Sequence, residues 1–123
     1  MKDTYKKLRI INTFKKYARL GLASKHLDAL DVYGRIKGVS RTRREAKELL
    51  AVYETVKFLA LCKKEDCLEA LFAVYFSLSG RGIRKSEISE RVLRYAVESY
   101  CDERTVYRKL SYVVNVYERL LEG

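Results

Sequence analysis

Apolar residues recur at three- and four-residue steps along most of the chain, the spacing of helices that bury one face. Tyr5, Leu8, Ile11, Phe14 and Ala18 mark the first such face. Lys6, Lys7, Arg9, Lys15, Lys16 and Arg19 fill much of the rest of that helix, which is predicted over roughly 3–22 and ends at Gly21 and Ser24. A shorter helix is expected over about 24–36, with Leu27, Leu30, Tyr33 and Ile36 or their neighbours inward and Gly38 as its stop. Ser40 or Thr42 can cap a third helix, and Thr42 with Glu45 has capping-box spacing. Leu49, Leu50, Tyr53, Val56, Phe58, Leu59 and Leu61 carry it to a turn around Lys63–Asp66. The next helix, through Cys67, Leu68, Leu71, Phe72, Val74, Tyr75 and Leu78, is apolar nearly all round and should be central. Ser79-Gly80-Arg81-Gly82 is the clearest loop. Ser86 then opens a helix that buries Ile88, Val92, Leu93 and Ala96, and a final helix runs from near Asp102 to about Leu121. The fold class is all-α, with five to six helices.

Composition agrees with that pattern. The 123 residues include no Pro and six Gly, too few turn formers for a sandwich or barrel. No apolar run approaches about 18 residues, so no membrane span is expected. The basic start is broken by charge every few residues and does not read as a signal peptide. The expected location is cytoplasmic, associated with the nucleoid.

Three cysteines, Cys62, Cys67 and Cys101, make an odd count without metal-clamp spacing, and His26 is the only histidine. All three read as small buried apolar residues, with no metal and no cofactor. His26 has no nucleophile near it in sequence and is placed on a helix surface. No phosphate-cradling glycine loop is present. The chain does not read as an enzyme. Its ten tyrosines, spread over every helix, read mostly as core edges with the hydroxyl in water. Tyr107 is set apart as a DNA contact.

Charge changes the picture more than composition does. Residues 1–47 hold 14 Lys+Arg and 4 Asp+Glu, a net of +10, whereas residues 48–123 hold 12 of each. An excess confined to one part of the chain points to an anionic polymer, most simply nucleic acid. An acidic protein partner or a solvated basic face would also account for it. The chain divides into a basic N-terminal helix or arm (1–25) and a helical domain (26–123) whose C-terminal helix-turn-helix spans about 85–121.

The informative stretch is Tyr95 to Leu110, YAVESYCDERTVYRKL. Ala96 is small where two helices would cross, Cys101 plugs the turn, and Asp102 is a good N-cap with Glu103 behind it near the helix N-terminus. At about 100° per residue, Val106, Leu110, Val113, Tyr117 and Leu120 share one side of the last helix. Arg104, Arg108, Ser111 and Asn115 share the other, with Tyr107 on a flank. Such groups donate to phosphates and read base edges in a major groove. The plain alternative is an amphipathic terminal helix with solvated charges.

The run CDERTVYRKL resembles the start of the recognition helix in region 4 of sigma-70-type factors. More closely, the chain is similar to phage late-gene transcriptional regulators of the ArpU/RinA type over roughly residues 27–121, through Ala96, Cys101, Asp102, Thr105, Val106, Tyr107 and Arg108. Two positions depart from that pattern: Ser99 stands where an apolar residue is usual, and Asp102 where Ser is commoner. The resemblance implies a small DNA-binding protein acting on promoters of mobile elements.

The expected function is therefore sequence-specific binding of double-stranded DNA in transcriptional regulation. Arg104, Tyr107, Arg108 and Ser111 face the bases. Arg81, Arg84, Lys85, Lys109, Arg41, Arg43 and Arg44 hold phosphates. Two alternatives stand beside it: a sigma-like factor that binds RNA polymerase, and a helix-turn-helix-derived inhibitor or adaptor that binds protein. Palindromic operators favour a homodimer, although no heptad seam is visible.

Overall fold

A computed structural model describes the backbone of residues 2–24, 27–79 and 81–123, with side chains from Tyr5 onward. His26, and Gly80 of the predicted loop, lie outside the described residues. Among the described residues there are six α-helices and no strand. They are α1 (Lys2–Arg19), α2 (Ala29–Val39), α3 (Arg43–Leu61), α4 (Glu65–Ala73), α5 (Lys85–Glu98) and α6 (Glu103–Glu122), with a single 3-10 turn at Tyr75–Ser77. None of these helices is long and apolar enough to cross a membrane.

The last helix organises the core. Its face Val106, Leu110, Val113 and Tyr117 is fully buried or nearly so, and it packs on α3, α4 and α5. The basic helix α1 crosses α3 and the 3-10 turn, placing Ile10, Ile11, Phe14 and Tyr17 in the same apolar cluster. It is thus a core element as well as a charged one. Ion pairs across its outer edge, Arg9 with Glu48 at 3.3 Å and Lys16 with Glu45 at 2.6 Å, tie it to the start of α3. There Thr42 acts as the predicted cap: its hydroxyl accepts from the Glu45 amide at 3.1 Å. The Lys16 ammonium holds the Glu45 carboxyl below the usual carboxylate range.

Several expectations need correction. The second helix starts at Ala29 rather than near residue 24 and runs past Gly34 and Gly38 to Val39. It rests on α3 and buries only the i,i+4 pair Val32 and Ile36, so Leu30 and Tyr33 point outward. Its end is set by Ser40, whose amide and hydroxyl both donate to the Ile36 carbonyl. The single helix expected through Leu78 is split, because the Ser77 hydroxyl takes the Phe72 carbonyl at 2.6 Å and the chain tightens into a 3-10 turn. Lys15, one of the cations off the predicted apolar face of the first helix, is only 3% exposed. Of the three cysteines only Cys67 is buried, and burial pushes its thiol up; Cys62 is exposed and Cys101 partly covered.

The tyrosines also depart from the core-edge picture. Tyr17, Tyr53, Tyr75, Tyr95 and Tyr117 are buried, and the hydroxyls of Tyr17, Tyr53 and Tyr117 are sealed from solvent. Burial raises the phenols of Tyr75 and Tyr117 to about 12, so both stay neutral over the physiological range. These rings belong to the core.

Candidate nucleic-acid interface

The interface is built on the α5–α6 junction. After Glu98 the chain leaves α5 through a Schellman closure: Cys101 N–H donates to the Ala96 carbonyl at 3.0 Å and Tyr100 N–H to the Val97 carbonyl at 3.3 Å. This closure requires a left-handed residue, normally Gly. Here it is Tyr100, at φ +56° and 97% exposed. A Cβ in that region is strained by about 1–2 kcal/mol, partly offset by the greater chain entropy that glycine would lose. Tyr100→Gly is therefore expected to stabilise the fold by about 0.5–1 kcal/mol. In urea unfolding this appears as a raised midpoint with an unchanged slope, and a lowered midpoint would contradict the strain argument.

Two residues further on, Asp102 starts α6. Its Oδ1 accepts from the Thr105 amide at 2.8 Å and from the Thr105 hydroxyl at 3.0 Å. Those two bonds, and then the nearby Arg104 and Arg108 guanidinium groups, hold its carboxyl below the ordinary aspartate range. Ala96 is 3% exposed beneath the crossing, and Cys101 packs partly against the core. Ser99 is the exposed C-cap of α5, where a polar residue suits the solvent.

The loop before α5 is clamped from both sides. Lys15 of α1 donates to the Gly82 carbonyl at 2.8 Å and Arg19 to that of Ser79 at 3.4 Å. The Ser79 amide and hydroxyl donate to Glu87 of α5, at 2.9 and 3.3 Å. This links the orientation of α5 to α1, the reason a lysine is buried at position 15.

On α6 the side chains of Arg104, Tyr107, Arg108 and Ser111 are all exposed. Together with Asn115, Arg119 and Phe58 of α3 they line an open groove of about 700 Å³. Arg104, Arg108 and Arg119 make no ion pair with any described residue, whereas Lys6, Arg9, Lys16, Arg91 and Arg94 all do. The predicted base-facing set is therefore brought together on one face.

The predicted phosphate set is not. Arg81 is exposed in the loop before α5, Arg84 is exposed as the N-cap of that helix, and Lys85 is its first residue. Lys109 turns the other way, 4.0 Å from Asp66 and over the Tyr95 ring, and is not part of the ridge. At 200° from Tyr107 by helical angle, it falls on the side that packs on α4 and α5. Arg41, Arg43 and Arg44 are exposed at the start of α3; Arg43 and Arg44 border Leu121 and Glu122. That is roughly 25 Å along α6 from Arg104 at 1.5 Å per residue.

Sequence reasoning left out Arg119, although its four-residue step from Asn115 was readable. Phe58 and Lys7 come to opposite sides of α6 only through tertiary packing. Leu93, expected inside, is 51% exposed and continues through Val97 and Tyr100 as an apolar stripe on the outside of α5. The helix has only Ile88, Val92, Tyr95 and Ala96 to bury, and Leu93 lies off that face. Comparison with protein-family models, with curated proteins and with solved structures finds no match to this chain.

Proposed function

We propose that this protein is a sequence-specific, double-stranded-DNA-binding transcriptional regulator in which α5 and α6 act as a helix-turn-helix and α6 enters the major groove. The observation that carries the reading is the outer face of α6: Arg104 and Arg108 stand exposed beside Ser111 and Asn115, and neither forms an ion pair with a described residue. Guanidinium groups read guanine edges, and amide and hydroxyl groups read adenine or phosphate. The capped, closed turn before α6 holds that face in a fixed orientation, as base reading requires. A homodimer on a palindromic operator fits this mode.

The test is binding of the full chain to a short random duplex, followed by fluorescence anisotropy. Binding is expected at about 50 mM salt and should weaken by orders of magnitude by about 200 mM, because each neutralised phosphate releases counterions. No retention at the lower salt would overturn the reading. A second reading draws on the exposed stripe Leu93, Val97 and Tyr100, which is the kind of surface a protein contact covers. It makes the chain a sigma-like factor that touches RNA polymerase, and pull-down with polymerase separates the two.

A further inference from the structure

We infer that Lys7 of α1 and Lys85 of α5 form a backbone-phosphate clamp beside α6, making the N-terminal helix a direct DNA-contacting element; this rests on the duplex-DNA reading above. Tyr107, Ser111 and Asn115 each line open grooves on both sides of α6. The helix is therefore a crest between two valleys. A helix about 10–12 Å across nearly fills a major groove about 12 Å wide, so the two sugar-phosphate backbones must run along its two sides.

The valley toward α3 carries Arg104, Arg108 and Arg119. The valley toward α1 carries Lys6 and Lys7 across from Ser111 and Asn115. Lys6 is tied to Glu118 at 2.8 Å. Lys7 and Lys85 form no ion pair with a described residue, and both border one cleft of about 390 Å³ with Ser89 and Tyr107. Its floor of Leu8, Ile11 and Ile88 is apolar, which lowers the local dielectric and strengthens attraction for an anion. Lys85 also opens α5, whose N-terminus has no side-chain cap and presents the positive end of its dipole. Two ammonium groups, two hydroxyls and a helix N-terminus thus surround a space open to the crest. A phosphodiester has the matching charge and acceptor oxygens.

The experiment compares the full-length wild type, Lys7→Gln/Lys85→Gln, and Lys37→Gln as a single-charge control on α2, which packs on α3. Each is titrated with salt on a duplex selected from random sequence and on random duplex. The double variant is expected to lose about one to two units of slope in log K against log salt, roughly 0.9 per phosphate contact. It should lose affinity equally on both duplexes and keep the wild-type thermal midpoint, with Lys37→Gln unchanged. Wild-type slope and affinity in the double variant would overturn the clamp and leave the duplex reading standing. A loss confined to the selected duplex would also overturn it. A wild type that fails to bind at low salt overturns the duplex reading, and the clamp with it.

Discussion

Arg108→Ala is expected to weaken binding to a preferred duplex by about 1–3 kcal/mol, roughly 5- to 150-fold, and to weaken binding to random DNA by less. The asymmetry follows from what the side chain would do. A guanidinium that donates two bonds to one guanine edge loses them only where that guanine is present. A guanidinium on a phosphate loses the same amount everywhere. Arg108 lies about one turn along from Arg104 on the exposed face of α6 and has no competing carboxylate at contact distance among the described residues. Its removal therefore leaves no buried charge behind and takes from the fold only its attraction for the exposed Asp102 cap, so stability is expected to change little. The check is a competition assay with selected and random duplexes at one fixed salt concentration. Equal loss on both would assign Arg108 to the backbone and remove the base-reading role. Asn115→Ala, on the crest, belongs in the same assay.

The largest stability effect is expected at Phe14. The ring is 0% exposed and joins three elements: its centroid lies 5.2 Å from Tyr117 of α6, 5.9 Å from Tyr75 and 6.0 Å from Phe76 of the 3-10 turn. Phe14→Ala removes the transfer energy of the ring and leaves a cavity between helices that cannot close up without moving α1. The cost is about 3–5 kcal/mol, a large share of the roughly 5–15 kcal/mol available to a domain. Phe14→Leu, which keeps most of the volume, should cost much less. Chemical unfolding of the two variants beside wild type measures both. A loss below about 1 kcal/mol for the alanine variant would mean that α1 is not part of the cooperative core. Loosening α1 would also withdraw Lys7 from the cleft, so DNA affinity in Phe14→Ala should fall even at temperatures where the chain remains folded.

How the fold could be read in advance depended on how local each signal was. Helix α6 was legible residue by residue: Asp102 as its cap, the Val106–Leu110–Val113–Tyr117 face inward, and the Arg104–Arg108–Ser111–Asn115 face outward. A long helix with one strongly apolar stripe has only one way to lie on a core. The cap of α3 at Thr42 was equally local. Helix α2 was misplaced because it buries just two residues, and so weak a stripe does not set a register. The break after α4 depended on the Ser77 hydroxyl reaching the Phe72 carbonyl, which no periodicity encodes.

Charge shows the same division. The amino-acid sequence by itself determined that the chain is helical, that its cations concentrate toward the N-terminus, and that its last helix carries a polar outer face. Only the tertiary structure decided which of those cations meet that face. Arg9 and Lys16 are spent on α3, Lys15 is buried under a loop, Arg43 and Arg44 sit at the far end of α6, and Lys7 stands beside its crest. The physical reason is range: caps and helical faces are settled by neighbours within four residues, whereas the meeting of Lys7 with Lys85 depends on how whole helices pack.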